Sequence, residues 1–192
     1  LTQPGTTYSY SSPGYVLLAH VVERVSTTTY RAFCDRELFA PASMASTFAG
    51  NGTGSGLAVP THDGREVPSF ELDVIGMGAG DVWSTVDDQV AWDVALRGGR
   101  VLSERTTSAM LTAHVPVPDR VEGIEIDGYG YGLYVGSVAG RPLVFHTGDN
   151  AGFFALNAWL ADADTQVVVL TNDTTTALVT VGMQALALAL GA

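Results

Sequence analysis

The 192-residue sequence contains no lysine, since all nine of its basic residues are arginines. This chain alone therefore cannot supply the ammonium group of any lysine-dependent active site. Positive charge is scarce overall, because 20 acidic residues give a formal net charge of −11. A nucleic-acid-binding face needs clustered cations to neutralise phosphates, so we expect no nucleic-acid partner. Binding to acidic membranes is disfavoured for the same reason.

Cysteine and long hydrophobic runs are also sparse. Cys34 is the only cysteine, which excludes a disulfide framework, and its helical surroundings predict a small buried core residue rather than a catalytic thiol. The apolar run over residues 177–191 is too short for a typical membrane span and predicts an amphipathic helix packed on a sheet. No His or Cys pair has metal-ligand spacing, so we expect neither metal nor cofactor.

The first part of the chain, residues 1–128, has the pattern of helices and loops. Apolar residues recur at helical spacing after Pro13, and a second helix is predicted over residues 27–39. Residues 40–80 are rich in Gly, Pro, Ser and Thr, which predicts an irregular excursion with a short hairpin around residues 62–65. Ser84 and Thr85 are good N-caps for a further helix, and a shorter helix is predicted within residues 103–114.

The second part, residues 129–192, changes to strands. Four runs separated by Gly- or Asp-containing turns predict strands over 129–138, 140–148, 152–161 and 165–172. Their short connections predict an antiparallel meander, and a helix from about Thr175 is expected to cover one face. We therefore predict an α/β protein of the α+β kind, an antiparallel sheet flanked by helices, in which both parts complete one domain.

Two short polar segments are candidates for chemistry. The sequence Tyr10-Ser11-Ser12 stands directly before the first helix, and His146-Thr147-Gly148 is predicted to end a strand at a sheet edge. Outward amides at such an edge can donate hydrogen bonds to a carbonyl oxygen. Taken alone, each segment is more typical of a structural role, since a tyrosine near a helix start usually packs and a lone histidine is usually structural.

Four segments together resemble the serine β-lactamase-related family, which includes class C β-lactamases, D-alanyl-D-alanine carboxypeptidases and related esterases. These segments are PGTTYSYSSPGYVLLAHVVERVS, WSTVDDQVAWDVALRGGRVLS, GYGYGLYV and FHTGDNAGFFALNAWLADADTQVVVLTND. The resemblance covers nearly the whole chain from Pro4 and preserves segment order. It implies a β-lactamase/transpeptidase-like fold and a serine hydrolase that cleaves an amide or ester through an acyl-enzyme. It implies a bacterial protein and leaves extracytoplasmic and cytoplasmic locations open.

The resemblance assigns Tyr10 to the tyrosine of the second catalytic motif, which implies that it serves as base and then acid. An isolated phenol is a weak base at neutral pH, so such a residue needs a neighbouring ammonium. Ser12 stands where the family usually has asparagine. The shorter side chain removes an amide that could hold a substrate amide, which favours an ester over a β-lactam or peptide.

The third catalytic motif is matched in its histidine form. The resemblance implies that His146 contributes a hydrogen bond or partial positive charge near the substrate, that Thr147 and Gly148 line the pocket, and that the backbone amide of Asp149 belongs to the oxyanion hole. A histidine titrates near neutrality, so its contribution depends on pH where that of a lysine would not.

The first motif of the family, Ser-x-x-Lys, cannot occur in a chain without lysine. We expect that a segment preceding Leu1 carries the nucleophile, because in the family Ser-x-x-Lys precedes the tyrosine motif. The expected partners are a small-molecule or peptide substrate and a complementary N-terminal segment or second chain, without which the fold is incomplete. The alternatives are a non-catalytic binding or regulatory module that retains the pocket, and an unrelated α/β domain with chance motifs.

Overall fold

The computed structural model describes residues 2–52, 55–68, 76–118, 120–121 and 123–191 of the chain. Helices dominate its first half. In the described part of the chain the helices are, in order, α1 (Ser12–Ser26), α2 (Tyr30–Phe33), a π-helical turn (Cys34–Phe39), α3 (Ala40–Ala42), α4 (Val86–Arg97) and α5 (Glu104–Met110). These elements confirm the helices that the sequence predicts in this half.

Local signals determine where the two long helices of this half begin. The Ser11 hydroxyl accepts a hydrogen bond from the Gly14 amide at 3.1 Å, which caps α1 and fixes the chain just after Tyr10. Thr85 caps α4 by accepting from the Asp88 amide at 3.2 Å, as the sequence predicts. Cys34 is 1% exposed and lies in a small helical core, which confirms its predicted burial.

Residues 40–80 contain short strands within otherwise irregular chain. Among the described residues, the strands of this half are β1 (Phe48–Ala49), β2 (Thr61–His62), β3 (Arg65–Glu66) and β4 (Val82–Trp83). β1 pairs with β4, and β2 pairs with β3 across the predicted hairpin. Part of this predicted excursion, residues 53–54 and 69–75, lies outside the described residues.

A five-stranded antiparallel sheet and a terminal helix form the second half. The elements are β5 (Ile124–Tyr129), β6 (Tyr134–Val138), β7 (Arg141–Asn150), β8 (Phe153–Leu160), β9 (Thr165–Thr171) and α6 (Leu178–Leu190). The strands are ordered in space as in sequence, which confirms the predicted meander. Side chains of Leu143, Phe145 and Leu156 pack with Leu178 and Leu186 of α6, so this helix covers one face.

Two strand predictions were wrong in detail. The predicted strand over residues 129–138 is divided, because Tyr129 ends β5, Gly132 turns with a φ of +85°, and Tyr134 begins β6. β5 was not predicted from the sequence. It begins in the part of the chain over residues 1–128 and ends in the part over residues 129–192. The strand expected to end at Gly148 continues as β7 to Asn150 and lies in the middle of the sheet rather than at its edge.

Candidate active site

A cleft of about 480 Å³ lies beside the last residues of β7. Its lining residues are Tyr10, Ser12, Ala79, Gly80, Tyr134, His146, Thr147, Gly148, Asp149 and Asn150. The structure therefore brings together all six residues that the sequence singled out. The segment before α1 forms one side of the cleft, and β7 forms the other.

The end of β7 has a strand partner on one side only. Pairing between β6 and β7 stops at Tyr134 and Phe145, whereas β8 pairs with β7 as far as Asn150. Among the described residues, the segment from His146 to Asn150 therefore presents a free edge within an otherwise central strand. Unpaired backbone groups along such an edge can bind an extended ligand or a carbonyl oxygen.

The imidazole of His146 is held by two hydrogen bonds. Its Nδ1 lies 2.6 Å from the carbonyl oxygen of Thr147, and its Nε2 lies 3.0 Å from the Tyr129 hydroxyl. Burial lowers the pKa of His146 from its ordinary value of 6.5, and the hydrogen bond to Thr147 opposes that shift only in part. The ring is therefore neutral at neutral pH.

Tyrosine rings surround this histidine. The Tyr10 ring centroid lies 6.1 Å from that of His146, and Tyr10 is 53% exposed toward the cleft. Tyr129 and Tyr134 contact the histidine ring from β5 and β6, with centroids at 6.0 and 5.4 Å. The Tyr8 hydroxyl lies 3.0 Å from that of Tyr134. These contacts couple the segment before α1 to the sheet.

The loop at residues 78–80 forms the wall between the two sides. The Asp81 carboxylate accepts a hydrogen bond from the Gly78 amide at 2.9 Å, and burial raises the pKa of that carboxyl. The Asn150 side-chain amide donates to the Gly80 carbonyl at 3.0 Å. These two bonds fix the loop against the end of β7.

A second, more apolar groove of about 520 Å³ continues from the cleft across β8 and β9. Trp83, Phe153, Val168 and Leu170 contribute apolar lining. Asn157, directly opposite His146 in the β7–β8 register, extends the polar part of the cleft into this groove. The sheet face opposite α6 is thus open at the site.

Charge in the cleft is low. Of the described lining residues, Asp149 alone carries a formal charge at neutral pH, given the neutral His146. Among the described residues there is also no cluster of three or more His, Cys, Asp or Glu that could hold a metal ion. In the same part of the chain, no helix is long and apolar enough to cross a membrane.

Sequence reasoning missed several residues of this site. Tyr129 and Tyr134 were read as parts of one strand, and Asn150 was placed beyond the end of β7. The dense tyrosine pattern over residues 129–134 was the available signal. Only the turn at Gly132 and the antiparallel register bring these rings onto His146.

Comparison with known proteins identifies similar sequences over almost the entire chain. The family model described as Beta-lactamase matches residues 1–190. The chain is 26% identical to the penicillin-binding protein PbpX of Bacillus subtilis (strain 168) over 186 residues, which is 88% of this chain and 41% of PbpX. It is 25% identical to a D-aminopeptidase of Gluconobacter oxydans (strain 621H), covering 98% of this chain and 36% of that protein.

The fold is similar to that of an octameric penicillin-binding protein homologue from Pyrococcus abyssi. The TM-score is 0.84 and the identity is 26%, over 100% of this chain and 44% of that structure. The chain spans 41% of the length of PbpX and 36% of the length of the D-aminopeptidase, which is about two-fifths of each curated relative.

Proposed function

This chain belongs to the β-lactamase family, and we propose that it supplies part of the active site of a serine hydrolase that cleaves an amide or ester through an acyl-enzyme. One observation carries the proposal. Tyr10 and the segment from His146 to Asp149, far apart in sequence, line the same cleft, with the rings of Tyr10 and His146 6.1 Å apart. If these motifs had arisen by chance on an unrelated fold, Tyr10 and His146 would not be expected to line the same cleft.

Tyr10 is the proposed base and acid. Its ring is exposed to the cleft and faces β7, so its hydroxyl is accessible to a nucleophile that approaches from the open side. The phenolate would take the proton of a serine hydroxyl as the serine oxygen attacks the substrate carbonyl carbon. The same proton would then pass to the leaving nitrogen or oxygen as that bond breaks, and water would hydrolyse the acyl-enzyme.

The free edge of β7 is the proposed site of oxyanion stabilisation. The backbone amide of Asp149 lies on the segment that has no β6 partner, and it would donate to the oxygen that becomes negative. Thr147 and Gly148 would line the substrate along the same edge. A side chain at Gly148 would be crowded, because its Cβ would lie 3.3 Å from the Ala155 Cβ on β8.

The substrate is proposed to be an ester or amide without a carboxylate beside the reacting bond. His146 is neutral, Asp149 is the charged lining residue described above, and Ser12 has no amide to hold a substrate amide. The matched relatives are a penicillin-binding protein and a D-aminopeptidase by name, so amide substrates stay within the proposal.

The nucleophile is proposed to come from a complementary segment that carries Ser-x-x-Lys. The apolar groove beside His146 is open on the sheet face opposite α6, which is where such a segment could approach both Tyr10 and β7. Its lysine would supply the ammonium that a tyrosine base requires. This chain and that segment would then form one catalytic domain.

A covalent fluorophosphonate label tests the proposal on the chain together with its complementary segment. We expect one serine of Ser-x-x-Lys to be labelled, with Tyr10→Phe slowing both labelling and ester turnover about 100-fold, the lower range for general acid–base catalysis. Tyr131→Phe is the control, since Tyr131 is similarly exposed at 62% but stacks on His114 instead.

The binding-module alternative makes the opposite prediction. A module of that kind would bind a non-hydrolysable ester analogue in equilibrium dialysis and yet take up no label.

Equal labelling rates for Tyr10→Phe and the unmodified protein would show that Tyr10 is not the base of the proposed mechanism.

A further inference from the structure

We propose that Tyr129 is a positioning residue that orients His146 and, through it, the carbonyl of Thr147 at the free edge of β7. The expected effect of Tyr129 on turnover rests on the proposed hydrolase function, whereas the hydrogen bonds between Tyr129, His146 and Thr147 do not.

The hydrogen-bond geometry determines which histidine nitrogen carries the proton. The carbonyl oxygen of Thr147 can only accept, and it lies 2.6 Å from Nδ1, so Nδ1 must be the protonated nitrogen. In the neutral ring Nε2 is then an acceptor. The Tyr129 hydroxyl, 3.0 Å away, must therefore donate to it.

The surroundings favour this arrangement. Tyr129 is 8% exposed, and burial raises the pKa of its hydroxyl, so the group keeps the proton that it donates. The nearby Tyr15 side chain of α1 also raises the pKa of Tyr129, after the larger effect of burial. Among the described residues, the titratable groups whose rings contact His146 are Tyr10, Tyr129 and Tyr134, which come from three different segments. The uncharged Asn157 lies opposite His146 on β8.

The arrangement has a functional consequence. Both ring nitrogens of neutral His146 are hydrogen-bonded, so the ring has no N–H free to donate to a substrate. Its contribution is to hold the edge of β7 in place through the bond from Nδ1 to the Thr147 carbonyl, which we call the brace. The Thr147 carbonyl lies on the segment that pairs with β8 but not with β6, so the bond from Nδ1 restrains this segment in addition to its pairing with β8. Small displacements of catalytic groups are known to be costly, so loss of the brace should reduce turnover.

The test is Tyr129→Phe in the full protein with ¹⁵N-labelled histidine. Phenylalanine keeps the ring contacts with Tyr8, Tyr134 and His146, so the fold should persist. The unmodified protein should show a single neutral His146 tautomer protonated at Nδ1, assigned by its loss in His146→Gln. In Tyr129→Phe the Nε2 resonance should move toward that of an unbonded nitrogen, and kcat should fall about tenfold with little change in KM.

Tyr131→Phe is the matched control, because it removes a hydroxyl from the same β5–β6 hairpin without touching His146, and it should leave both readouts unchanged. An Nε2-protonated His146 in the unmodified protein, or an unchanged Nε2 resonance in Tyr129→Phe, would overturn the inference. If the predicted resonances appear in a protein that hydrolyses nothing, the positioning role stands and the proposed hydrolase function fails.

Discussion

His146 shows at the scale of one residue how burial changes what a side chain can do. An exposed histidine would be partly charged near neutral pH, whereas burial lowers the pKa of this one below 6.5. The unfolded chain consequently binds more protons than the folded chain between the lowered pKa and 6.5. His146 therefore contributes stability above about pH 6.5 that is lost as the pH falls through this window.

The same titration should appear in the activity. Protonation adds an N–H at Nε2, which can no longer accept from Tyr129, so we expect kcat/KM to fall on the acid side with an apparent pKa below 6.5. His146→Gln should lose this acid limb, as measured by the pH dependence of ester hydrolysis. His114→Gln, which alters an exposed histidine, should retain it. An acid limb centred at or above 6.5 would contradict the assignment.

At the scale of secondary-structure elements, the Asp173 side chain joins the β2–β3 hairpin to the end of β9 by hydrogen bonds. Its carboxylate accepts from the Thr61 hydroxyl at 2.7 Å, the Gly64 amide at 2.9 Å and the Thr175 amide at 2.8 Å. A hydrogen bond from the Thr175 hydroxyl, together with these three, holds the pKa of Asp173 well below its ordinary value. The chain just before this hairpin, at Ala58, borders the groove beside the cleft.

Replacing Asp173 by Asn should loosen the hairpin while leaving α6 and the main sheet in place. We expect faster hydrogen exchange at the Gly64 amide and a lower urea midpoint. The unmodified protein should lose stability as the pH falls below about 4, where Asp173 begins to be protonated in the unfolded chain, and Asp173→Asn should lose less. Asp63→Asn, at the tip of the same hairpin, is the control for charge. Equal hydrogen-exchange rates at Gly64 in both variants would show that Asp173 does not hold the hairpin in place.

At the scale of the whole molecule, α1 and α4 each present a row of apolar side chains to solvent. On α1 these are Leu17, Leu18, Val21 and Val25, and on α4 they are Val86, Val90 and Val94. The spacing of three and four residues places each set along one helix face. Contiguous apolar faces of this kind are typical of surfaces that another segment or chain covers.

We therefore expect the chain prepared alone to self-associate, and to form a one-to-one complex when it is produced together with the complementary segment. Light scattering measures both states. Val21→Ser combined with Val25→Ser should weaken the complex, whereas Thr27→Ser, just beyond α1, should not. A well-behaved monomer of the isolated chain would show that no partner is needed to cover these faces.

The sequence by itself determined the features that depend on neighbouring residues. Helix starts after Ser11 and Thr85 follow from side chains that cap nearby amides, and the meander follows from short turns between apolar runs. The tyrosine and histidine motifs, interpreted through the family resemblance, were sufficient to name six of the residues that line the cleft. The absence of lysine excluded a complete Ser-x-x-Lys site in this chain.

Only the tertiary structure decided how these parts meet. The free edge of β7 arises because pairing with β6 ends at Phe145, and strand register depends on partners that local sequence does not specify. The neutral state of His146 and the donor role of Tyr129 require burial and distances of a few ångströms between distant segments. Such long-range proximity results from packing the whole chain, so no short stretch of residues encodes it.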